Sequence, residues 1–250
     1  MSDVDLRILD GVATLTLTAA DRRNSLTVAM AQDLIDACEQ IDGDVAVGAV
    51  VVHGSGGYFC AGAHRDALAG AGVEPASPAA FSQMGAIYES FARVGRLAPP
   101  TIAAIVGGAV GAGVNLAYAT DLRIVADDAK LLAGFLRIGL HPGGGHFALS
   151  GRLAGREATM AASVFGEPIS GLRAVELGIA WEALPSEQVL ARAQEVAARA
   201  GADPELARRT IRSARQELGP PAVPWDVALD AERGSQMWSL RRRHERASDA

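Results

Sequence analysis

The chain has 250 residues, long enough for one or two domains with a large core, and its 49% hydrophobic and 21% charged composition is typical of a soluble globular protein. The formal net charge of −6 argues against nucleic acid as the main partner, and no apolar run approaches the about 18 residues of a membrane span. The acidic N-terminus lacks the apolar core of a signal peptide, and two cysteines cannot form a disulfide framework, so we expect a cytoplasmic protein.

Short apolar or alternating runs bounded by turn residues predict strands through the first half of the chain. The first two runs meet at Asp10-Gly11, a dipeptide typical of hairpin turns. The predicted strands lie at residues 4–9, 11–18, 49–53, 101–106, 121–126 and 131–133.

Periodic apolar positions and capping residues predict helices, which dominate the second half. These helices lie at residues 27–41, 80–97, from about 111, from about 147, and at 155–164, 171–177, 187–200, 204–217 and 225–243. Residues 67–78 carry Ala, Gly and Pro without periodicity, so we expect a mobile flap there. We divide the chain into a core domain at 1–200 and a C-terminal helical region at 201–250, which packs on the core or on neighbouring subunits.

One stretch combines a strand, a glycine turn and the start of a helix. The apolar run at 101–106 leads into Gly107-Gly108-Ala109-Val110-Gly111, whose glycines permit tight turns that a Cβ would resist. The helical pattern begins at about Gly111. Because the first turn of a helix carries free N–H groups and a partial positive charge, this stretch predicts a place to hold an anion.

Four motifs, in this order and spacing, resemble those of the enoyl-CoA hydratase/isomerase (crotonase) superfamily. They are Arg23-Asn24-Ser25-Leu26, Phe59-Cys60-Ala61-Gly62-Ala63, the run from Pro100 to Ile124, and Gly139-Leu140-His141-Pro142-Gly143-Gly144-Gly145. The resemblance covers roughly residues 5–240. It implies an α/β (α+β) fold, a crotonase-like spiral of strand-strand-helix units with a C-terminal helical trimerisation region. It also implies self-association as a trimer, or as a hexamer built from two trimers.

The same resemblance implies the ligand, an acyl-CoA thioester. Coenzyme A would be part of the substrate, so no permanently bound cofactor is expected. The backbone N–H groups of Ala63 and Ala112 would form an oxyanion hole for the enolate that develops on the thioester oxygen. Arg22 is an alternative to Arg23 for a CoA phosphate, and a solvent-exposed role is equally open for each arginine. The CoA contacts implied by motif position are Arg23, Leu26, Ala61, Ala63, His64, Arg65, Asp66 and Gly111.

The chain departs from the family at its two catalytic carboxylates, whose positions fall at Asn115 and Phe135. An asparagine can orient a water but cannot accept its proton, and a phenylalanine can do neither. General acid–base catalysis typically contributes about 10²–10⁴-fold, so we expect hydration by the usual route to be nearly abolished. The family's isomerase variant also uses a carboxylate at the position of Phe135.

Three functional hypotheses therefore remain open. The chain is an enoyl-CoA hydratase-like enzyme without the standard carboxylates, or a non-catalytic acyl-CoA binder with Phe135 as a hydrophobic wall. In the third, it catalyses another enolate reaction, such as isomerisation, decarboxylation or thioester cleavage, with His64 or His141 handling the proton. His141 and His146 bracket the second glycine turn, where a hydrogen bond to the loop backbone is the alternative role. No His, Cys, Asp and Glu spacing indicates a metal site.

Overall fold

A parallel sheet with a hairpin at one edge organises the molecule, seen in a computed structural model that describes residues 2–219 and 221–248. The strands are β1 (Val4–Leu9), β2 (Val12–Leu17), β3 (Ala49–Gly54), β4 (Thr101–Ile105), β5 (Gly108–Val110), β6 (Leu122–Ala126), β7 (Lys130–Leu132), β8 (Ile169–Ser170) and β9 (Glu182–Leu184). The helices are α1 (Val28–Gly43), α2 (Arg65–Val73), α3 (Pro78–Gly95), α4 (Ala112–Ala119), α5 (His146–Ser163), α6 (Gly171–Glu176), α7 (Ser186–Gly201), α8 (Pro204–Glu217) and α9 (Trp225–Ser248).

The larger sheet has the strand order β1-β2-β3-β4-β6-β9. The hairpin strands β1 and β2 are antiparallel, whereas β2, β3, β4, β6 and β9 run parallel to one another. The smaller sheet has the order β5-β7-β8. Since parallel neighbours end at the same edge of a sheet, the loops that follow β3 and β4 emerge side by side.

The central strands are buried, which explains their unbroken apolar sequences. All of β4 is buried, and so are the first four residues of β3. Helix α7 packs against β3, β4 and β6, and helices α1 and α3 pack against each other. Their apolar side chains join those of the strands in one core.

The predicted start of the first helix is confirmed. The Thr27 hydroxyl accepts a hydrogen bond from the Met30 N–H at 3.1 Å, which caps α1. No helix is predicted over residues 67–78, whereas α2 occupies Arg65–Val73 in the structure; the mobility of this segment stays a prediction. His64 caps α2 by accepting from the backbone N–H of Asp66 at 3.3 Å, and this local cap compensates for the weak periodicity of the segment.

Two further differences concern the second half of the chain. The helices predicted from residue 147 and at 155–164 are joined in α5, which breaks at Gly155 with φ 72°. Strands β8 and β9 have two and three residues and were not predicted. Runs this short carry no detectable periodicity, and their pairing depends on distant strands.

Arginine side chains attach α8 to the rest of the molecule. Arg208 donates to the carbonyl of Asp44 at 2.6 Å, just after α1, and to that of Val47 at 2.8 Å. Arg215 forms an ion pair with Asp121 at 2.6 Å, at the start of β6. The division at residue 200 and the trimer stay predictions. Among the described residues, no helix is long and apolar enough to cross a membrane.

Candidate active site

The two loops that follow β3 and β4 are hydrogen-bonded to each other. The Val110 N–H donates to the Cys60 carbonyl at 3.0 Å, and the Cys60 N–H donates to the Gly108 carbonyl at 3.2 Å. These bonds form where the chain leaves β3 and where it enters α4. The loop at 55–64 is therefore fixed against the start of that helix.

Two glycines make this close approach possible. A Cβ on Gly113 would overlap the Cys60 carbonyl oxygen, and a Cβ on Gly62 would overlap that of Val110. The same Cβ on Gly62 would lie 3.3 Å from the Ala112 nitrogen. Gly62 also has φ 88°, a conformation that residues with side chains rarely adopt. The residue before Ala63 thus lies directly against the first residue of α4.

Two backbone donors on these adjacent segments have no acceptor among the residues that the structure describes. The Leu26 N–H donates to the Gly62 carbonyl at 2.7 Å, and the His64 N–H donates to the Leu26 carbonyl at 2.8 Å. Ala63 lies between these two hydrogen bonds, so its own N–H is directed away from Leu26. Ala112 opens α4, where N–H groups have no intrahelical acceptor. Within the described residues, neither the Ala63 N–H nor the Ala112 N–H donates to a protein acceptor.

Asn115, one turn further along α4, belongs to a buried hydrogen-bonded chain. Its side-chain nitrogen donates to the Gly143 carbonyl at 2.9 Å, and its side-chain oxygen lies 2.8 Å from Nδ1 of His146. Nε2 of His146 lies 2.8 Å from the Ser163 hydroxyl. Asn115 is 1% exposed and His146 is 3% exposed. Burial lowers the pKa of His146 to about 4, so the ring is neutral at pH 7.

The Phe135 ring lies beside this hydrogen-bonded chain of side chains. Its ring centroid lies 5.0 Å from that of His146, in an edge-on arrangement. A Cβ on Gly111, the residue before α4, would lie 3.8 Å from the Phe135 ring. The structure therefore brings Asn115, Phe135 and the start of α4 into one region. Neither side chain can take up a proton there.

The predicted histidines at the rim have other partners. His141 is exposed, and its Nδ1 lies 2.7 Å from the carbonyl of Pro142. His64 uses Nδ1 to cap α2, which leaves Nε2 for other contacts. Arg65 and Asp66 are exposed at the beginning of α2. Of the histidines near the second glycine turn, His146 rather than His141 contacts Asn115.

The two arginines proposed to contact CoA, Arg22 and Arg23, differ in their partners in the structure. Arg22 forms an ion pair with Asp3 and donates to the Ser25 carbonyl at 3.3 Å, so its guanidinium is already engaged. Arg23 has φ 52°, and its guanidinium carbon lies 5.6 Å from the centroid of the Tyr58 ring. Arg23 forms no ion pair with any described residue, so its guanidinium is more available than that of Arg22 for binding a ligand. Leu26 is fully buried, and Ala61 donates to the Arg23 carbonyl at 2.9 Å.

Sequence reasoning missed the role of two polar residues. Asn24, fully buried with φ 54°, donates from its side chain to the carbonyls of Ser55 at 3.0 Å and Tyr58 at 2.7 Å, which holds the loop after β3. The Asn-Ser dipeptide is a turn signal that could have pointed to it. Ser163 lies 17 positions after His146, and no sequence pattern connects the two.

A cavity of about 500 Å³ lies elsewhere, beside the segment that enters β4. Its lining includes Leu97 and four arginines of α8. Arg208 and Arg215 donate to backbone carbonyls or pair with Asp121. Because this cavity is at the amino end of β4 and the free amides follow its carboxyl end, the cavity is separate from the candidate site.

Comparison with known proteins agrees with this fold. The family described as Enoyl-CoA hydratase/isomerase matches residues 7–231. The chain belongs to the enoyl-CoA hydratase/isomerase family, the crotonase superfamily. It is 39% identical over 220 residues to a Mycobacterium tuberculosis protein named "Probable enoyl-CoA hydratase EchA14", with 88% of this chain and 82% of that protein covered.

A second relative and two solved structures extend the comparison. The chain is 32% identical over 231 residues to the Escherichia coli protein named 1,2-epoxyphenylacetyl-CoA isomerase, covering 90% of this chain and 86% of that protein. The Pseudomonas aeruginosa structure PA4980 has a TM-score of 0.83 and 31% identity, covering 93% of this chain and 98% of that one. An enoyl-CoA hydratase from Polaromonas sp. JS666 has a TM-score of 0.86 at 24% identity, covering 95% and 91%, and shows the shared fold.

Proposed function

We propose that the chain binds an acyl-CoA thioester and stabilises the enolate that forms on the thioester oxygen. The observation that carries the proposal is the pair of unused N–H groups, Ala63 and Ala112, on two segments held against each other. Donors that are fixed before the reaction stabilise a developing oxyanion by about 3–4 kcal/mol each, since they need no reorganisation. The Ala112 N–H also lies at the positive end of the α4 dipole.

The absence of carboxylates at positions 115 and 135 limits the reactions that the proposed oxyanion hole can support. Asn115 and Phe135 occupy the two positions at which family hydratases carry glutamate, so standard hydration of an enoyl-CoA is slow in our proposal. An enolate reaction whose electrons come from the substrate itself, such as decarboxylation, needs no protein base at these positions. Where a proton must be moved, His64 or His141 at the rim would do it, because an imidazole can both donate and accept a proton.

Isomerisation is the second candidate, and the relative named 1,2-epoxyphenylacetyl-CoA isomerase favours it. The site supplies aromatic surface for a ring-bearing acyl group. Phe135 lies beside the start of α4, and a Cβ on Gly144 would contact the Phe91 ring and lie 3.0 Å from the Asn115 nitrogen. An acyl group with an aromatic ring would pack edge-on or offset against such side chains.

A proton-exchange experiment separates catalysis from binding. The protein is incubated in D₂O with a panel of saturated, unsaturated and arylacetyl-CoA thioesters, and mass spectrometry follows the α-carbon and the products. Deuterium at the α-carbon, or a new product, supports an enolate enzyme. Tight binding without exchange, addition, isomerisation or cleavage supports the non-catalytic binder instead. No binding of any thioester would refute the proposal.

The CoA portion and the assembly are also proposals. We expect Arg23, Arg65 and the segment from Ala61 to Asp66 to contact the CoA moiety, because Arg23 and Arg65 have no ion-pair partner among the described residues. We also propose a trimer, or a hexamer of two trimers, in the cytoplasm. Light scattering of the purified protein gives the mass of the assembly.

A further inference from the structure

With a neutral imidazole, the contacts from Ser163 through His146 to Asn115 allow one arrangement of hydrogens. The Gly143 carbonyl can only accept, so the Asn115 atom that faces it at 2.9 Å is the amide nitrogen. The Asn115 oxygen therefore faces His146, and because this oxygen can only accept, Nδ1 at 2.8 Å carries a hydrogen. A neutral imidazole has one N–H, so Nε2 accepts and the Ser163 hydroxyl donates to it at 2.8 Å.

The surroundings of His146 favour this neutral form. The rings of Phe135 and Phe147 lie 5.0 and 6.0 Å from the imidazole, centroid to centroid, and the ring forms no ion pair with a described carboxylate. His146 is also the first residue of α5, where the helix dipole disfavours a positive charge. A neutral ring with its hydrogen on Nδ1 is thus consistent with both the packing and the local field.

This arrangement determines how Asn115 meets a ligand. A flip of the carboxamide would place its oxygen against the Gly143 carbonyl and its N–H against the Nδ1–H of His146, so the side chain is held in one orientation. One N–H of the carboxamide is bonded to Gly143, and the second remains for another acceptor. Asn115 lies three residues after Ala112, so both are on the same side of α4.

Building on the proposed acyl-CoA site, we propose that His146 is a positioning residue that, supported by Ser163, locks the Asn115 carboxamide as a hydrogen-bond donor to the acyl group. In this role Asn115 adds a third donor to the N–H groups of Ala63 and Ala112. The site would then be built of donors only, at a position where family hydratases carry a proton-accepting carboxylate. His146 itself does not touch the substrate.

The tautomer is measured first, and it requires no ligand. The assembled protein is labelled with ¹⁵N in its histidine rings, and long-range ¹H–¹⁵N correlations are recorded at pH 7. We expect a histidine signal set with the hydrogen on Nδ1 that disappears in His146→Asn and persists in Ser150→Ala; the Nδ1 of His141 also faces a carbonyl, at 2.7 Å, so its signals persist in both variants. Ser150 shares α5 and pairs with Thr159 at 2.9 Å, so its variant also loses a buried hydroxyl bond and serves as the matched control. His146 protonated on Nε2, or on both nitrogens, would overturn the proposal.

Calorimetry then measures binding of an acyl-CoA and of free CoA to the same proteins. We expect His146→Phe to weaken acyl-CoA binding about 10-fold, since it leaves the Asn115 oxygen unpaired and the carboxamide free to turn. Free CoA should bind unchanged, because it has no acyl group. His146→Asn should recover much of the loss, since its amide nitrogen can replace Nδ1–H.

The outcomes are distinguishable. A wild type that binds no acyl-CoA refutes the proposed function, whatever the tautomer. A wild type that binds acyl-CoA, with a folded His146→Phe that binds it equally well, refutes the positioning role alone. Equal losses for acyl-CoA and free CoA would also refute it, because they indicate a general disturbance of the fold. If His146→Phe does not fold, Ser163→Ala takes its place, with an expected loss of about 3-fold.

Discussion

Acidification should destabilise this protein through His146, by an amount that follows from its burial. The ring is neutral in the folded protein because burial lowers its pKa from 6.5 to about 4. Between these two values the unfolded chain binds a proton that the folded chain does not. The contribution to stability is therefore complete above pH 6.5 and is lost as the pH falls toward 4.

The size of this loss can be worked out from the two pKa values. A change from 6.5 to about 4 corresponds to about 3 kcal/mol, at about 1.4 kcal/mol for each pKa unit. This is a substantial part of the about 10 kcal/mol that typically stabilises a domain. His53 contributes in the same direction, because burial also lowers its pKa.

The assay is urea unfolding at a fixed protein concentration at pH 7, 5.5 and 4.5, for the wild type and His146→Asn. Carboxylates and His53 titrate in both proteins, so their effects cancel in the difference. We expect the wild type to lose about 2–3 kcal/mol more than the variant across this range. A difference that does not change with pH would refute the reasoning, since it would mean that His146 titrates normally.

Three further predictions concern the Ala112 amide, Gly113, and the side chains at positions 115 and 135. Ala112→Pro removes one N–H at a helix position that accepts proline and should reduce turnover about 10²–10³-fold, whereas Ala112→Gly keeps the N–H and the activity. Gly113→Ala should destabilise by about 1–3 kcal/mol in urea unfolding, because its Cβ overlaps the Cys60 carbonyl; equal stability of the two proteins would contradict this. Glutamate at both 115 and 135 should raise crotonyl-CoA hydration at least about 10²-fold, and no gain would show that other residues define the site.

Much of the fold could be predicted from the sequence, because the patterns that define most helices and strands involve residues close together in the chain. The Thr27 cap, the alternating hairpin and the apolar central strands each follow from neighbouring residues. Helix α2 was not predicted from the sequence, because the His64 cap at its N-terminus, and not its periodicity, defines it. Strands β8 and β9 were missed because two or three residues pair only once distant strands are in place.

The candidate site was predictable where it depends on the backbone. The resemblance to the family's motifs indicated Ala63 and Ala112, and neither N–H donates to an acceptor in the part of the chain that the structure describes. The side-chain network was not predictable in the same way. His141 and His146 are equivalent by sequence, and only the turn at 143–145 directs His146 inward to Asn115 and leaves His141 exposed.

The most direct test of the account is a crystal structure of the protein with a non-reactive acyl-CoA analogue that retains the carbonyl oxygen. We predict that this oxygen lies about 3 Å from both the Ala63 and the Ala112 nitrogens, with the acyl group beside Asn115. An analogue bound with its carbonyl oxygen away from these two amides, or against a carboxylate, would contradict the account.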